Sequence, residues 1–177
     1  MEFEYKVLAK EILSVIYETG KTIGTAESCT AGKVASAIAA VPGASNYFKG
    51  GIVCYATDVK TTVLGVSQKS IDEHTVVSEE VARQMVKGVV RVLGVDYAVA
   101  VTGVAGPSGG TPEIPVGTIW IACGNSEDQV CVKLTEDNGR DQNLTAATHT
   151  ALSQLLQFIS ERESVADDEG ETNEVAG

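Results

Sequence analysis

The chain has 177 residues, of which 44% are apolar and 21% charged, which is typical of one globular domain rather than of a disordered or fibrous chain. Its formal net charge of -11 excludes the broad basic surface that nucleic-acid binding requires, so nucleic acid is not an expected partner. The N-terminus has no apolar signal segment, and no stretch approaches the roughly 18 continuous apolar residues of a membrane span, so we expect a soluble, cytoplasmic protein with no membrane partner.

Apolar periodicity and turn residues divide the chain into alternating helices and strands. The first half is predicted to contain helix 4–19, strand 22–26, helix 31–41, strand 50–55, short helices over 59–64 and 68–73, and a longer helix from the N-cap residue Ser78 to Gly94. The second half is predicted to contain strand 96–102, a glycine- and proline-rich loop over 103–112, hairpin strands over 116–123 and 129–134, and a last helix over 142–159. Such alternation implies parallel crossovers with helices on both faces of the sheet, and the late hairpin adds antiparallel strands. The prediction is a single α/β domain over 1–160 with a mixed, mostly parallel sheet.

The last segment of the chain differs from the rest in charge. Residues 161–177 contain seven acidic residues, one basic residue and no aromatic residue, and so carry more than half of the net negative charge. Such a composition cannot bury enough apolar surface to order itself. We expect an acidic, disordered tail over 161–177, with a solvating role favoured over an interaction role.

Three polar segments, at 25–30, 55–60 and 102–111, follow predicted strands and so meet at the edge of the sheet where α/β proteins bind ligands. Ser28 is expected just before a helix, where backbone N–H groups and the helix dipole stabilise an oxyanion. A serine nucleophile needs a base, and a buried lysine that loses its charge can act as one. Lys60 is therefore the candidate partner of Ser28.

Each of these residues also has an ordinary structural interpretation. Ser28 taken alone is more typical of a helix N-cap, and Lys60 alone of a solvated helix residue. Cys29 is a competing nucleophile beside Ser28. No histidine is well placed to activate it, because His74 is expected on a surface turn and His149 within the last helix.

Other kinds of site are weakly indicated or excluded. The loop 103–110 offers backbone N–H groups to an anion, but it lacks the spacing of the common phosphate-binding motifs and is equally an ordinary glycine-rich turn. The four cysteines include no C-x-x-C pair, so the sequence predicts neither a disulfide framework nor a zinc centre.

Seven blocks of sequence stand in order between residues 5 and 160: TAESCT at 25–30, VPGAS at 41–45, Tyr55 with Lys60, LGV at 64–66, VSEEVA at 77–82, VTGVAGP at 101–107 and PVGTIW at 115–120. Together they resemble the CinA C-terminal domain family, the nicotinamide-nucleotide amidohydrolases. The resemblance implies deamidation of nicotinamide mononucleotide to nicotinic acid mononucleotide and ammonia. It also implies a three-layer α/β/α sandwich that needs no metal or other cofactor.

Carried over to this chain, the resemblance makes Ser28 the nucleophile, Lys60 its general base, and Tyr55 a residue that orients groups or relays the proton. It assigns binding of the small nucleotide substrate to Thr30, Thr102, Gly103, Gly106 and Arg140. Relatives commonly self-associate, so a homo-oligomer is expected. Relatives also occur fused behind a second domain, which we expect to be missing here because the first predicted helix begins almost at Met1.

Three parts of the chain depart from the family pattern. Relatives usually have an Asn-Glu-Ala-like run before the lysine, where this chain has Thr57-Asp58-Val59. Ala31 stands where relatives usually have glycine. Where relatives carry Gly-Asp-Arg before the last helix, this chain has Gly139-Arg140-Asp141. We expect either that Arg140 acts from one residue away or that the affinity for the phosphate is weakened. The alternative function is that of a non-catalytic nucleotide-binding or competence-related accessory protein of the same family, which keeps the pocket without turnover.

Overall fold

Five strands form one sheet in the order β2-β1-β3-β4-β5. In the computed structural model, which describes residues 2–17 and 19–171, these strands are β1 (Ile23–Glu27), β2 (Phe48–Val53), β3 (Tyr97–Gly103), β4 (Ile119–Gly124) and β5 (Gln129–Leu134). The pairs β1–β2 and β1–β3 are parallel, whereas β3–β4 and β4–β5 are antiparallel. Four of these strands therefore run in one direction and β4 runs against them, which confirms a mixed, mostly parallel sheet.

Helices connect the strands and cover both faces of the sheet. Within the described ranges they are α1 (Glu2–Ile16), α2 (Lys33–Ala39), α3 (Thr57–Thr62), α4 (Gln68–His74), α5 (Glu79–Leu93) and α6 (Arg140–Glu171). The predicted helices are all present, and a short 3-10 helix at Ala44–Asn46 is additional. None of the helices that the structure describes is long and apolar enough to span a lipid bilayer.

Two apolar cores lie on opposite sides of the sheet. Val99 and Val101 of β3 belong to the core shared with α1, α2 and α6, while Ala98 and Ala100 belong to the core shared with α5. Successive strand residues point to opposite faces, so the alternation of valine and alanine gives α5 a close approach to the sheet. These cores confirm the three-layer α/β/α sandwich.

The N-terminal and C-terminal signals of α5 act as the sequence predicts. Ser78 is the N-cap residue, and its Oγ accepts a hydrogen bond from Val81 N at 3.3 Å. Gly94 ends the helix in the left-handed conformation, with φ of 61°, which glycine adopts without strain.

The last helix continues beyond its predicted end. α6 runs to Glu171 and so includes residues that the sequence analysis assigned to the disordered tail. Arg162 forms an ion pair with Asp128 and lies 5.1 Å from the centre of the Phe158 ring, and Tyr97 donates a hydrogen bond to Glu163. Because these contacts hold the first turn after residue 160 against the domain, disorder is the wrong prediction there. Residues 172–177 lie outside the described residues, and for them the tail stays a prediction.

The parallel strands place their carboxyl ends side by side. Glu27, the last residue of β1, pairs with Val53 of β2 on one side and Val101 of β3 on the other. The segments that follow these strands therefore leave the sheet at one edge, as the sequence predicts.

Candidate active site

A cleft of about 310 Å³ opens where β1, β2 and β3 end. It brings together most of the predicted site residues: Ser28, Tyr55, Lys60, Thr102, Gly103, Gly106 and Arg140. Another cleft, of about 540 Å³, lies between α1, α2 and α6 and contains none of them. The predicted catalytic and substrate-binding residues therefore lie mainly in the smaller cleft, at the edge of the sheet.

Ser28 and Lys60 form a buried, hydrogen-bonded pair in this cleft. Lys60 Nζ lies 2.9 Å from Ser28 Oγ and donates a second hydrogen bond to Cys54 O at 2.7 Å. Ser28 is 9% exposed and Lys60 only 2%, so the interpretation of Lys60 as a solvated helix residue is wrong. When the amine is neutral, the same 2.9 Å contact can carry the serine proton to nitrogen.

The main chain fixes Ser28 between two strands. Ser28 N donates to Val101 O at 2.9 Å, which continues the pairing of β1 with β3. Cys54 N donates to Glu27 O at 2.8 Å, which continues the pairing of β1 with β2. The nucleophile candidate therefore sits on the rigid end of a central strand rather than on a free loop.

Burial also decides the protonation states in the cleft. It lowers the pKa of Lys60, because the ammonium loses its hydration, and the thiols of Cys54 and Cys29 offset this only in part. Burial raises the pKa of Cys29 to about 11, so this side chain remains a thiol near neutral pH. The arrangement favours Ser28 over Cys29 as the nucleophile, since only Ser28 has a base within hydrogen-bonding distance.

Glu27 is a buried acid to which the sequence analysis gave no role. It is 1% exposed, and its Oε2 accepts hydrogen bonds from Gly32 N at 3.0 Å and Val34 N at 3.1 Å. Its Oε1 accepts from Ala35 N at 2.8 Å. These donors are the first amides of α2, so the carboxylate occupies the positive end of that helix.

This arrangement corrects the predicted setting of Ser28. The N-cap of α2 is Gly32, and the helix begins at Lys33, so Ser28 neither caps the helix nor borders a free helix end. Between them the chain reverses through Ala31 and Gly32, which have φ of 50° and 97°. The sequence contains one signal for the contact of Glu27 with these amides: an acid directly after a predicted apolar strand. If such a carboxylate is buried, it must find hydrogen-bond donors nearby.

Thr102 supports the wall of the cleft that lies between α4 and α5. It is 1% exposed, and its Oγ1 donates to Val76 O at 2.8 Å. Val76 and Val77 line the cleft, although the sequence analysis missed them. The preceding residue, Thr75, has φ of 69° and ψ of 165°, which is strained for a β-branched residue. Thr102 therefore shapes this wall through Val76.

The loop after β3 depends on two glycines and is held by an arginine. A Cβ at Gly103 would lie 2.7 Å from Ile119 Cα, and a Cβ at Gly106 would lie 2.5 Å from Val116 Cγ1, so neither position has room for a side chain. Arg140, the first residue of α6, donates from Nη1 to Gly106 O at 2.8 Å. The predicted arginine thus reaches the cleft from the far end of the chain.

Two predicted residues are placed differently from expectation. Tyr55 lines the cleft but is 60% exposed, and its hydroxyl makes no hydrogen bond to the described part of the chain. In this arrangement Tyr55 has no hydrogen bond to Ser28 or Lys60, so a proton relay through Tyr55 stays a prediction. Thr30 is fully buried and does not line the cleft, so its side chain does not reach a substrate there.

Metal ligands are not grouped in the described ranges. No three His, Cys, Asp or Glu side chains in residues 2–17 and 19–171 lie close enough together to hold a metal ion. His74 and His149 both lie outside the cleft that contains Ser28.

The family of the chain follows from its match to a known domain. The model of the CinA C-terminal domain matches residues 5–159. The chain belongs to the CinA C-terminal domain family. A CinA-like protein from Gloeobacter violaceus is 44% identical over 154 residues, which are 86% of this chain and 36% of that protein.

Solved structures of the CinA family share the fold. The competence/damage inducible protein CihA from Agrobacterium tumefaciens is 34% identical, with a TM-score of 0.84 over 88% of this chain and 95% of that one. A CinA superfamily protein from Escherichia coli is 32% identical, with a TM-score of 0.83 over 86% and 89% of the two chains. The chain spans about a third of the length of the curated CinA relatives that it matches.

Proposed function

We propose that this protein is a nicotinamide-nucleotide amidohydrolase, which converts nicotinamide mononucleotide and water to nicotinic acid mononucleotide and ammonia. The observation that carries this proposal is the buried contact of 2.9 Å between Lys60 Nζ and Ser28 Oγ. Membership of the CinA C-terminal domain family supports it, because the resemblance of the sequence to that family implies the same reaction.

In the proposed first step, neutral Lys60 takes the proton of Ser28 Oγ while the oxygen attacks the carboxamide carbon of the substrate. The carbonyl oxygen becomes an oxyanion, which backbone N–H groups beside Ser28 stabilise. The intermediate collapses as Lys60 gives its proton to the leaving nitrogen, so ammonia departs and an acyl ester with Ser28 remains. Water then attacks this ester, again with Lys60 as base, and restores the free serine.

The cleft suits a small substrate with an anionic end. Its volume of about 310 Å³ lies at the lower end of the range of roughly 300–1,000 Å³ for small-molecule sites. The guanidinium of Arg140 provides a cation at the cleft, and guanidinium groups bind phosphate with fixed geometry. We assign the carboxamide to the Ser28–Lys60 pair and the phosphate to the side of the cleft that contains Arg140.

Ammonia release and mass-spectrometric detection of the acid product test the proposal with the purified full chain. Ser28→Ala is expected to lower kcat by at least about 1,000-fold, and Lys60→Ala by about 100- to 10,000-fold, the range for loss of a general base. Ser36→Ala and Lys33→Ala, two exposed positions of α2, are matched controls with unchanged kinetics. Unchanged activity in the Ser28 and Lys60 variants would contradict the serine–lysine assignment.

Two further results separate the other hypotheses. Loss of activity in Cys29→Ala, with Ser28→Ala still active, indicates a cysteine-dependent hydrolase. Thermal stabilisation of the wild-type protein by nicotinamide mononucleotide without any acid product indicates a nucleotide-binding protein without turnover, because binding to the native state raises its stability.

A further inference from the structure

The Glu27 carboxylate is held mainly by main-chain amides rather than by a charged side chain. Its oxygens accept from the amides of Gly32, Val34 and Ala35, and Thr25 Oγ1 lies 3.4 Å from Oε1. No lysine or arginine in the described part of the chain forms an ion pair with it. Burial of a carboxylate costs free energy unless its oxygens are hydrogen-bonded. These hydrogen bonds therefore fix the position of the Glu27 side chain and, equally, the positions of the amides that donate to it.

Nearly every amide around the nucleophile has a partner of its own. Ser28 N donates to Val101 O, Ala31 N donates to Ser28 O, and Lys33 N donates to Thr30 O. With the three amides bound to Glu27, this leaves only the N–H groups of Cys29 and Thr30 in the stretch 28–35 without an oxygen acceptor in the described structure.

The oxyanion of the proposed reaction needs donors of this kind. The end of α2 cannot supply them, because Glu27 already occupies it. The amide directly after a serine nucleophile is a common oxyanion donor, and Cys29 both follows Ser28 and lines the cleft. The turn 28–32, called the nucleophile turn below, therefore presents the Cys29 amide to the substrate, whereas Thr30 does not line the cleft.

We propose that Glu27 is a positioning residue of the amidohydrolase reaction, whose carboxylate holds the nucleophile turn so that the amide of Cys29 binds the oxyanion. The inference rests on the proposed function. Glu27 takes no proton and touches no substrate. Its hydrogen bonds to the amides at the end of the turn fix the path of the main chain back to Ser28.

Glu27→Gln tests this role with little change in side-chain volume. The amide NH₂ of glutamine cannot accept, so it faces either Ala35 N or the amides of Gly32 and Val34 and breaks at least one of the three hydrogen bonds. We expect kcat to fall by about 100-fold, the cost of losing one oxyanion donor, with KM within about threefold. The pH midpoint of kcat is expected to stay in place, because both contacts of Lys60 Nζ are retained.

Ile23→Val is the matched control. It shortens another buried side chain of β1, which belongs to the apolar core and makes no hydrogen bond to Glu27, so kcat is expected to stay within about twofold of wild type. If Glu27→Gln does not fold, Glu27→Asp is used instead, because it keeps the charge but shortens the side chain by one methylene and loses reach to Ala35 N. A folded variant of either kind with wild-type kcat overturns the proposal, and so does a loss of kcat accompanied by a shifted pH midpoint.

A second assay separates failure of this proposal from failure of the proposed function. Acetyl transfer from p-nitrophenyl acetate to Ser28 Oγ, with release of p-nitrophenol, reports the oxyanion site without the nucleotide substrate. If wild-type protein releases no ammonia but Ser28 is acetylated, and Glu27→Gln slows this acetylation by about 100-fold, the positioning role stands and the substrate assignment fails. Wild-type protein that neither releases ammonia nor is acetylated at Ser28 overturns both proposals.

Discussion

When Gly88 is replaced by alanine, helix propensity favours the variant, whereas tertiary packing opposes it. Gly88 is buried in the middle of α5, where propensity alone predicts that alanine stabilises the helix by about 0.8–1.0 kcal/mol. A Cβ at this position, however, would lie 2.4 Å from Leu64 O and 2.8 Å from Leu64 Cβ. Ordinary contacts begin near 3.4 Å, so α5 and the segment that follows α3 must separate by about 1 Å.

The clash is expected to outweigh the gain in propensity. Overpacking of a core costs about 1–3 kcal/mol, and the upper end applies here because the nearest atom is a backbone oxygen. Subtracting the helix term leaves a loss of about 2 kcal/mol, which lowers Tm by about 4–8 °C for a chain of this length. Val66 N donates to Lys60 O at 3.1 Å, so a displaced Leu64 also disturbs the base. A displacement of about 1 Å at Lys60 is expected to lower kcat by about 10- to 100-fold.

Differential scanning calorimetry and the ammonia assay measure these two effects together. Lys87→Ala, at the neighbouring exposed position of α5, is the control and should change stability by no more than about 0.5 kcal/mol. A Gly88→Ala protein with a higher Tm than wild type would refute the reasoning, because it would mean that helix propensity decides at this position.

Three further predictions concern the cleft and the nucleophile turn beside it. Ala31→Gly is expected to stabilise the protein by about 0.5–1 kcal/mol in urea denaturation, since Ala31 has a left-handed φ of 50°, and a lower denaturation midpoint would contradict this. Burial lowers the pKa of Lys60, and only the neutral amine accepts a proton, so kcat/KM is expected to rise with pH through a single ionisation with its midpoint below the ordinary value of 10.5. A flat profile between pH 5 and 10.5 would remove Lys60 as the base. Arg140→Met is expected to raise KM for nicotinamide mononucleotide by about 10- to 100-fold but to change KM little for the riboside that lacks the phosphate; equal changes would exclude Arg140 as the phosphate ligand.

The sequence predicts the helices and strands well, because their apolar residues recur with a regular period. It also predicts that the polar segments at 25–30, 55–60 and 102–111 meet, because each of them follows a strand of the predicted parallel sheet. Strand β5 has the predicted bounds, and the alternation of valine with alanine in β3 reflects two different faces of one sheet. The pairing of Ser28 with Lys60 is predicted for the same reason, since the carboxyl ends of parallel strands share an edge.

The remaining features depend on contacts that a linear pattern does not encode. An acid directly after an apolar strand indicates that Glu27 needs donors, but the local pattern does not show that these donors are the first amides of α2, because a reversal at Ala31 separates them from Glu27. The position of Val76 in the cleft depends on Thr102, which is distant in sequence. Burial of Lys60 likewise results from packing between elements, whereas its short helix alone is typical of solvent exposure.

Because β4 alone among the five strands runs in the opposite direction, the cleft and the hairpin between β4 and β5 lie at opposite ends of the strands. β4 turns the chain back once, so β5 again runs in the direction of β3 and delivers α6, with Arg140, to the edge that holds Ser28. The hairpin between β4 and β5 lies at the other end and contributes no side chain to the cleft. That hairpin is therefore the natural attachment point for a fluorophore or a tether: a label at Ser126 would immobilise or report on the protein while the opposite rim stays open to substrate.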